Sequence, residues 1–195
     1  MNIIKIALTG KMRSGKDTVA LHLAFEHGFE YPIAFGDKLK RTFHELFPWV
    51  SAQSKPREGY QRFGQLIRKE FDENVWVKHL ASTVEFLEDS RKTRGIVITD
   101  LRQPNEYEWC RANGFIIVRV TAPDELRIAR AKAAGDVFAE EDLAHDTESH
   151  VDEYEVDYEI HNDGTIAELD TKVDEMMDEI YQNRNYTKWR AMRSW

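Results

Sequence analysis

Residues 3–18 read IIKIALTGKMRSGKDT. A short β-branched run suited to a buried strand stops at Gly10, and helix-forming residues resume at Lys16. Between them lies G-x-x-x-x-G-K, in the strand-then-helix setting that makes this spacing a phosphate-binding loop rather than an ordinary glycine turn. Gly10 and Gly15 permit a backbone whose N–H groups face inward. The helix starting near Lys16 adds its unpaired first-turn amides and the positive end of its dipole. Lys16 places a point charge on the β- and γ-phosphates, and Lys11 and Arg13, which precede Ser14 inside the loop, add two more cations. Asp17 stands where a serine or threonine usually ligates Mg²⁺. A carboxylate is also a hard oxygen ligand, so Mg²⁺ binding is expected to survive, directly or through water. Thr18 is placed to give its hydroxyl to the α-phosphate.

Outward from the loop, apolar runs and periodic segments alternate. Strands are predicted at 3–9, 31–35, 95–100, 115–120 and 156–160. Helices are predicted at 16–27, 37–47, 61–71, 74–92, 105–113, 124–134 and 165–182. Segment 49–59 reads as a loop, and 135–150 as an exposed loop or short helix. Such alternation predicts an α/β chain in three α/β/α layers, with a five-stranded parallel sheet covered on both faces. Ligands of such sheets lie beyond the carboxyl ends of the strands, here just after residues 9, 35, 100, 120 and 160.

The 195 residues suit a single domain, 1–195, with a substantial core. A net charge of −8 argues against a nucleic-acid polymer as partner, yet a small phosphorylated ligand needs only a local cationic pocket. The lone cysteine, Cys110, reads as a buried helix residue. No signal peptide and no membrane-length apolar run is present, so a cytoplasmic, membrane-free protein is expected.

GKMRSGKDT (10–18), with Asp and Thr directly after the lysine, resembles the loop of bacteriophage-type deoxynucleoside monophosphate kinases, and nearly as closely that of animal-type phosphomevalonate kinases. Both belong to the nucleoside monophosphate kinase group of P-loop proteins. ITDLRQPNE (98–106) is similar to the Asp-x-Arg-x-x-Asn-Glu stretch of the deoxynucleotide kinases. Weaker likenesses run through FGDKLK (35–40), YQRFGQLIR (60–68) and NDGT (162–165). The resemblance implies a P-loop kinase fold with an acceptor-binding helical region at about 37–92 and a small lid at about 123–150. It implies ATP and Mg²⁺ as cofactors. The γ-phosphate would pass to a (deoxy)nucleoside monophosphate, with phosphomevalonate as the alternative acceptor.

The residues themselves agree at several points. Asp100 ends a buried strand beside the phosphate loop, positioned to hold Mg²⁺ through water or to orient the acceptor. Arg102 follows it and can clamp a phosphate at two points. The plainer alternatives are a helix cap for Asp100 and a surface ion pair for Arg102. Arg68 lies one turn after Gly64, which would let a ligand approach closely. Gln61 offers a paired donor and acceptor for a base edge, and Trp76 is either a stacking ring or core. The resemblance adds Asp37, Lys40, Asn105 and Glu106 on the acceptor side, and Asn162, Gly164 and Thr165 at the adenine-side turn.

Phosphoryl transfer spreads negative charge that cations must meet. Segment 135–150 contains no Arg or Lys, so the lid role is assigned to Arg127 and Arg130, which share a helix face. Asp146, Glu148, Ser149 and His150 resemble, in altered order, an Asp-x-His-x-Ser-Glu stretch of the family. His145 and His150 are weak grounds for a metal site. The basic, aromatic tail NYTKWRAMRSW leaves two readings open: a contact in a homodimer, or packing on its own domain. A nucleotide-dependent switch is the competing class, but the guanine-reading N-K-x-D element is missing.

Overall fold

The computed structural model describes residues 3–52, 56–90, 92–134 and 150–193. Four strands, β1 (Ile4–Thr9), β2 (Gly95–Ile98), β3 (Ile116–Thr121) and β4 (Tyr158–His161), form one sheet in the order β2-β1-β3-β4. Every pairing is parallel, with Ile4 opposite Gly95, Ile6 opposite Ile116, and Val118 opposite Tyr158. Seven helices complete the described chain: α1 (Lys16–Glu26), α2 (Gly36–Leu46), α3 (Arg57–Glu70), α4 (Val75–Ser90), α5 (Pro104–Ala112), α6 (Asp124–Ala133) and α7 (Ile166–Arg193).

The strands are apolar on both faces, as a doubly covered sheet requires. Alternate residues go opposite ways. Ile4, Ile6 and Leu8 of β1, Val97 of β2 and Val118 and Val120 of β3 pack with Val19 and Leu23 of α1 and Val173 and Met177 of α7. Ala7, Ile96, Ile98 and Ile117 face the other way, onto Val77 and Leu80 of α4 and Cys110 of α5. Each such large aliphatic side chain, removed from water, stabilises the fold by about 1.5–3 kcal/mol.

The expected fifth strand is reduced to two isolated bridges, Phe29 with Gly95 and Ile33 with Ile98. Glu30 N donates to Gly95 O at 2.8 Å and Ile33 N to Val97 O at 3.0 Å, so three residues on this edge span two on β2. Tyr31 and Pro32 are the bulge, and Pro32 has no N–H to offer the ladder. The sheet is therefore four-stranded, with a broken edge where the fifth strand was expected. Two helix bounds also move: α3 begins at Arg57, inside the expected loop, and α7 runs on to Arg193 as one helix. The expected lid segment 135–149, with His145, Asp146, Glu148 and Ser149, lies outside the described residues, as do the side chains of the tail. Among the described residues, no helix is long and apolar enough to cross a membrane.

Because β2 and β3 flank the central β1, chain order reverses on either side of β1. A parallel sheet opens a crevice at such a point, beyond its carboxyl ends.

Candidate active site

β1 delivers the chain into that crevice at Gly10. The loop takes left-handed φ values at Gly10 (131°), Arg13 (63°) and Gly15 (109°). A Cβ on Gly10 would stand 2.2 Å from the carbonyl oxygen of Val120, so the loop presses on the end of β3 and only glycine fits. Arg13 holds its positive φ without that freedom, the kind of backbone strain that concentrates at functional loops. Lys16 opens α1 and is 8 % exposed. Its Nζ reaches back over the loop to the carbonyls of Gly10 (2.7 Å) and Lys11 (2.9 Å).

Three side chains distant in sequence fasten the loop. Asn162, buried just after β4, donates its amide to Ser14 O at 2.8 Å. Arg130 of α6 donates to Asn162 Oδ1 (3.1 Å) and to Arg13 O (3.4 Å). Arg127, one turn earlier and buried, donates to Met12 O (3.0 Å) while pairing with Asp124 at 2.7 Å. The Arg127 hydrogen bond holds the Asp124 carboxyl below its ordinary range. Lys11 pairs with Asp152 at 2.8 Å. Inside the loop the buried Ser14 Oγ has no hydrogen-bond partner among the described residues.

Above the loop a cavity of about 600 Å³ is lined by six cations, Arg13, Lys16, Lys40, Arg57, Arg102 and Arg130, against two carboxylates, Asp17 and Asp100. In a chain of net charge −8 that is a concentrated positive field. Asp17 is exposed in the first turn of α1, beside Thr18. Asp100 follows β2 and accepts from Phe35 N (2.7 Å) and Gly36 N (3.0 Å), the amides at the start of α2. It therefore caps a helix, but one 64 residues earlier in the chain rather than the next one.

The expected residues thus divide. Arg13, Gly15, Lys16, Asp17, Thr18, Lys40, Asp100, Arg102, Arg130, Asn162 and Gly164 converge on the cavity. Thr165 instead caps α7, exchanging hydrogen bonds with Glu168 at 2.7–3.3 Å. Asp37 accepts from Ala34 N at 2.8 Å. Gln61, Gly64, Arg68, Trp76, Asn105 and Glu106 stand apart from the cavity lining. At Gly64 the close approach is made by α2, since a Cβ there would lie 2.4 Å from Leu39 Cδ1. Trp76 is core, 4 % exposed, and its Nε1 donates to Gly64 O at 3.4 Å. Asn105 binds Asn74 Oδ1 (2.9 Å) and Glu73 O (3.3 Å).

Glu106 is buried and closes the start of α5, accepting from Arg102 N and Gln103 N, each at 3.0 Å, with Arg68 3.6 Å away. Burial first, and then the charge of Asp100, push its carboxyl up to about 7. It shapes the backbone that carries Arg102. Arg57, at the first turn of α3, was not anticipated; Pro56 followed by Arg and Glu is a helix-start pattern that would have exposed it.

Comparison with known proteins agrees with this geometry. The family profile described as AAA domain matches residues 6–151. Comparison with curated proteins gives no match. Among solved structures, a sugar kinase from Janibacter sp. HTCC2649 is similar at TM-score 0.59 and 16 % identity, over 91 % of this chain and 95 % of that one. Shikimate kinase from Acinetobacter baumannii, in complex with shikimate, gives 0.54 and 19 %, over 93 % and 95 %. The APS kinase CysC of Mycobacterium tuberculosis, in complex with AMPPNP and APS, gives 0.52 and 17 %, over 92 % and 98 %. At these identities the likeness establishes the P-loop kinase fold.

Proposed function

Because the chain belongs to the AAA domain family, we propose that it is an ATP-dependent phosphotransferase acting on a small phosphorylated acceptor, a (deoxy)nucleoside monophosphate in our reading. One observation carries this: six cations to two carboxylates around a single cavity whose floor is a phosphate-type loop. Hydrolysis or switching needs charge at one triphosphate. Lys40, Arg57 and Arg102 supply cations beyond the loop, where a second phosphate would lie.

The residues fit ATP and Mg²⁺. Ser14 Oγ is a buried donor without a partner among the described residues, and the first-turn amides of α1 with Lys16 favour a β,γ-phosphate. Asp17 is an oxygen ligand suited to Mg²⁺, and Asp100 lines the same cavity. Mg²⁺ would supply charge neutralisation between the β- and γ-phosphates. In the proposed reaction the bond from the γ-phosphorus to the β-bridging oxygen breaks, and an acceptor phosphate oxygen takes its place, leaving ADP. Arg102 and Arg57 orient that acceptor, and Arg130 faces the charge that develops in transit. Arg127 is a positioning residue, since its guanidinium is spent on Met12 O and Asp124. Gly164 and the backbone around Asn162 would border the adenine.

A second acceptor, phosphomevalonate, is favoured by a specific observation: Gln61 and Trp76, the expected base readers, do not line the cavity. The test is ADP formation with ATP, Mg²⁺ and a panel of deoxynucleoside and ribonucleoside monophosphates, phosphomevalonate and shikimate. Turnover with a nucleoside monophosphate supports the first reading, and turnover with phosphomevalonate alone replaces it. ATP hydrolysis indifferent to every acceptor overturns the kinase.

A further inference from the structure

Where α1 meets α7, on the far side of α1 from its phosphate-facing end, three side chains converge. His22 lies within α1, His27 just past its end, and Asp174 in the first half of α7. Their ligand atoms all lie within 4.8 Å of one another. Asp174 Oδ1 is 2.7 Å from His22 Nε2 and 2.9 Å from His27 Nε2. A fourth group stands behind them: His22 Nδ1 is 3.3 Å from Asp170 Oδ1, one turn earlier on α7. Both imidazoles are largely covered, 13 % and 14 % exposed, while Asp174 at 54 % leaves a side open to water.

Both nitrogens of His22 thus face carboxylate oxygens, yet a neutral imidazole carries a single N–H. Two imidazole nitrogens also converge on one oxygen of Asp174. A proton or a metal cation at Nε2 answers the conflict at His22; with a metal there, the single proton sits on Nδ1, directed to Asp170. That carboxylate–histidine–metal relay orients ligating imidazoles generally.

We propose that His22, His27 and Asp174 form a binding site for a zinc-type divalent transition metal, with Asp170 as the outer carboxylate and water completing the coordination. Two imidazoles and one carboxylate are a borderline-soft donor set that suits Zn²⁺, Co²⁺ or Ni²⁺ rather than Mg²⁺. Tetrahedral ligation at about 2.0–2.1 Å separates ligand atoms by about 3.3 Å. The present 2.7 and 2.9 Å are each about half an ångström short of this, and every pair of ligand atoms already lies within 4.8 Å. The ion would join α1 to α7, two helices whose first residues, Lys16 and Ile166, both line the cavity.

The test uses full-length protein freed of metal and titrated with Co²⁺ and Zn²⁺. One equivalent should bind, with the visible spectrum of four-coordinate Co²⁺. Zn²⁺ at a hundredfold excess over its Kd should raise Tm by roughly 5–10 °C, and Mg²⁺ should not reproduce this. His22→Gln and His27→Gln should each weaken binding more than about a hundredfold, and Asp170→Asn about 10–100-fold. X-ray absorption of the zinc-loaded wild type should find two imidazoles, a readout that does not depend on any variant folding. Absence of a stoichiometric Co²⁺ spectrum overturns the proposal. So does binding unchanged in a protein carrying both His22→Gln and His27→Gln, which would move the ion elsewhere, His145 and His150 included.

Discussion

Asn162 and Ser14, 148 residues apart, are joined by a buried hydrogen bond of 2.8 Å from side-chain amide to backbone carbonyl. Through it the turn after the last strand sets the shape of the loop after the first. Asn162→Ala should cost about 1–3 kcal/mol of stability, because the Ser14 carbonyl and Arg130 both lose a partner. It should also raise the KM for ATP about tenfold by loosening the loop. Asn162→Asp, which cannot donate to Ser14, should be no better than alanine. Thermal melts and initial rates check both, and an Asp variant with wild-type KM would refute the role of the donor.

The role proposed for Lys16 is to supply charge rather than packing. Lys16→Ala should lower kcat/KM by about a thousandfold or more, with circular dichroism unchanged. Activity within tenfold of wild type would remove Lys16 from the mechanism.

For Asp17 the measurement is Mg²⁺ dependence. Asp17→Ala should raise the Mg²⁺ concentration for half-maximal activity about tenfold, and Asp17→Ser should recover part of the loss. An identical Mg²⁺ profile in all three proteins would leave the carboxylate without a metal role.

Gly64 separates packing from binding. Gly64→Val drives a branched side chain into Leu39 and should cost about 2–3 kcal/mol in denaturant unfolding. The acceptor KM of the protein that remains folded should change less than about threefold. A large KM effect with unaltered stability would restore the ligand-contact reading of this glycine.

Glu106 makes stability depend on pH. Its folded pKa is about 7 against an ordinary 4.5, so the folded state holds a proton that the unfolded chain has already released. Between those values the native state binds more protons, and stability falls as pH rises. The stability of wild type relative to Glu106→Gln should therefore drop by on the order of 1–3 kcal/mol from pH 4.5 to 7.5 and level off above. Unfolding curves at five or six pH values suffice, and a constant difference across the range would contradict the buried, proton-retaining carboxyl.

The legible parts of this molecule were local. Gly10–Lys16 announces itself by spacing, and the strands by β-branched runs, because both are set by residues a few positions apart. Asn162–Ser14 and Arg127–Met12 are contacts across more than a hundred residues, and no spacing rule brings them together. That is why Arg127 and Arg130 read alike in sequence while one is buried under the loop and the other lines the cavity. Gly64 misled for a related reason: a glycine on a helix signals close approach without naming what approaches. The missing fifth strand turned on Pro32, whose absent N–H matters only against a ladder already in place.

The fastening of the phosphate loop by the last third of the chain has a temporal side. Ser14 leaves the ribosome early, yet Asn162 follows 148 residues later, a delay of roughly 7–30 s at about 5–20 residues per second. Until then the nascent polypeptide carries the nucleotide motif without its clasp. A partly made chain should thus be unable to capture and waste triphosphate, and competence should arrive abruptly once Asn162 has emerged.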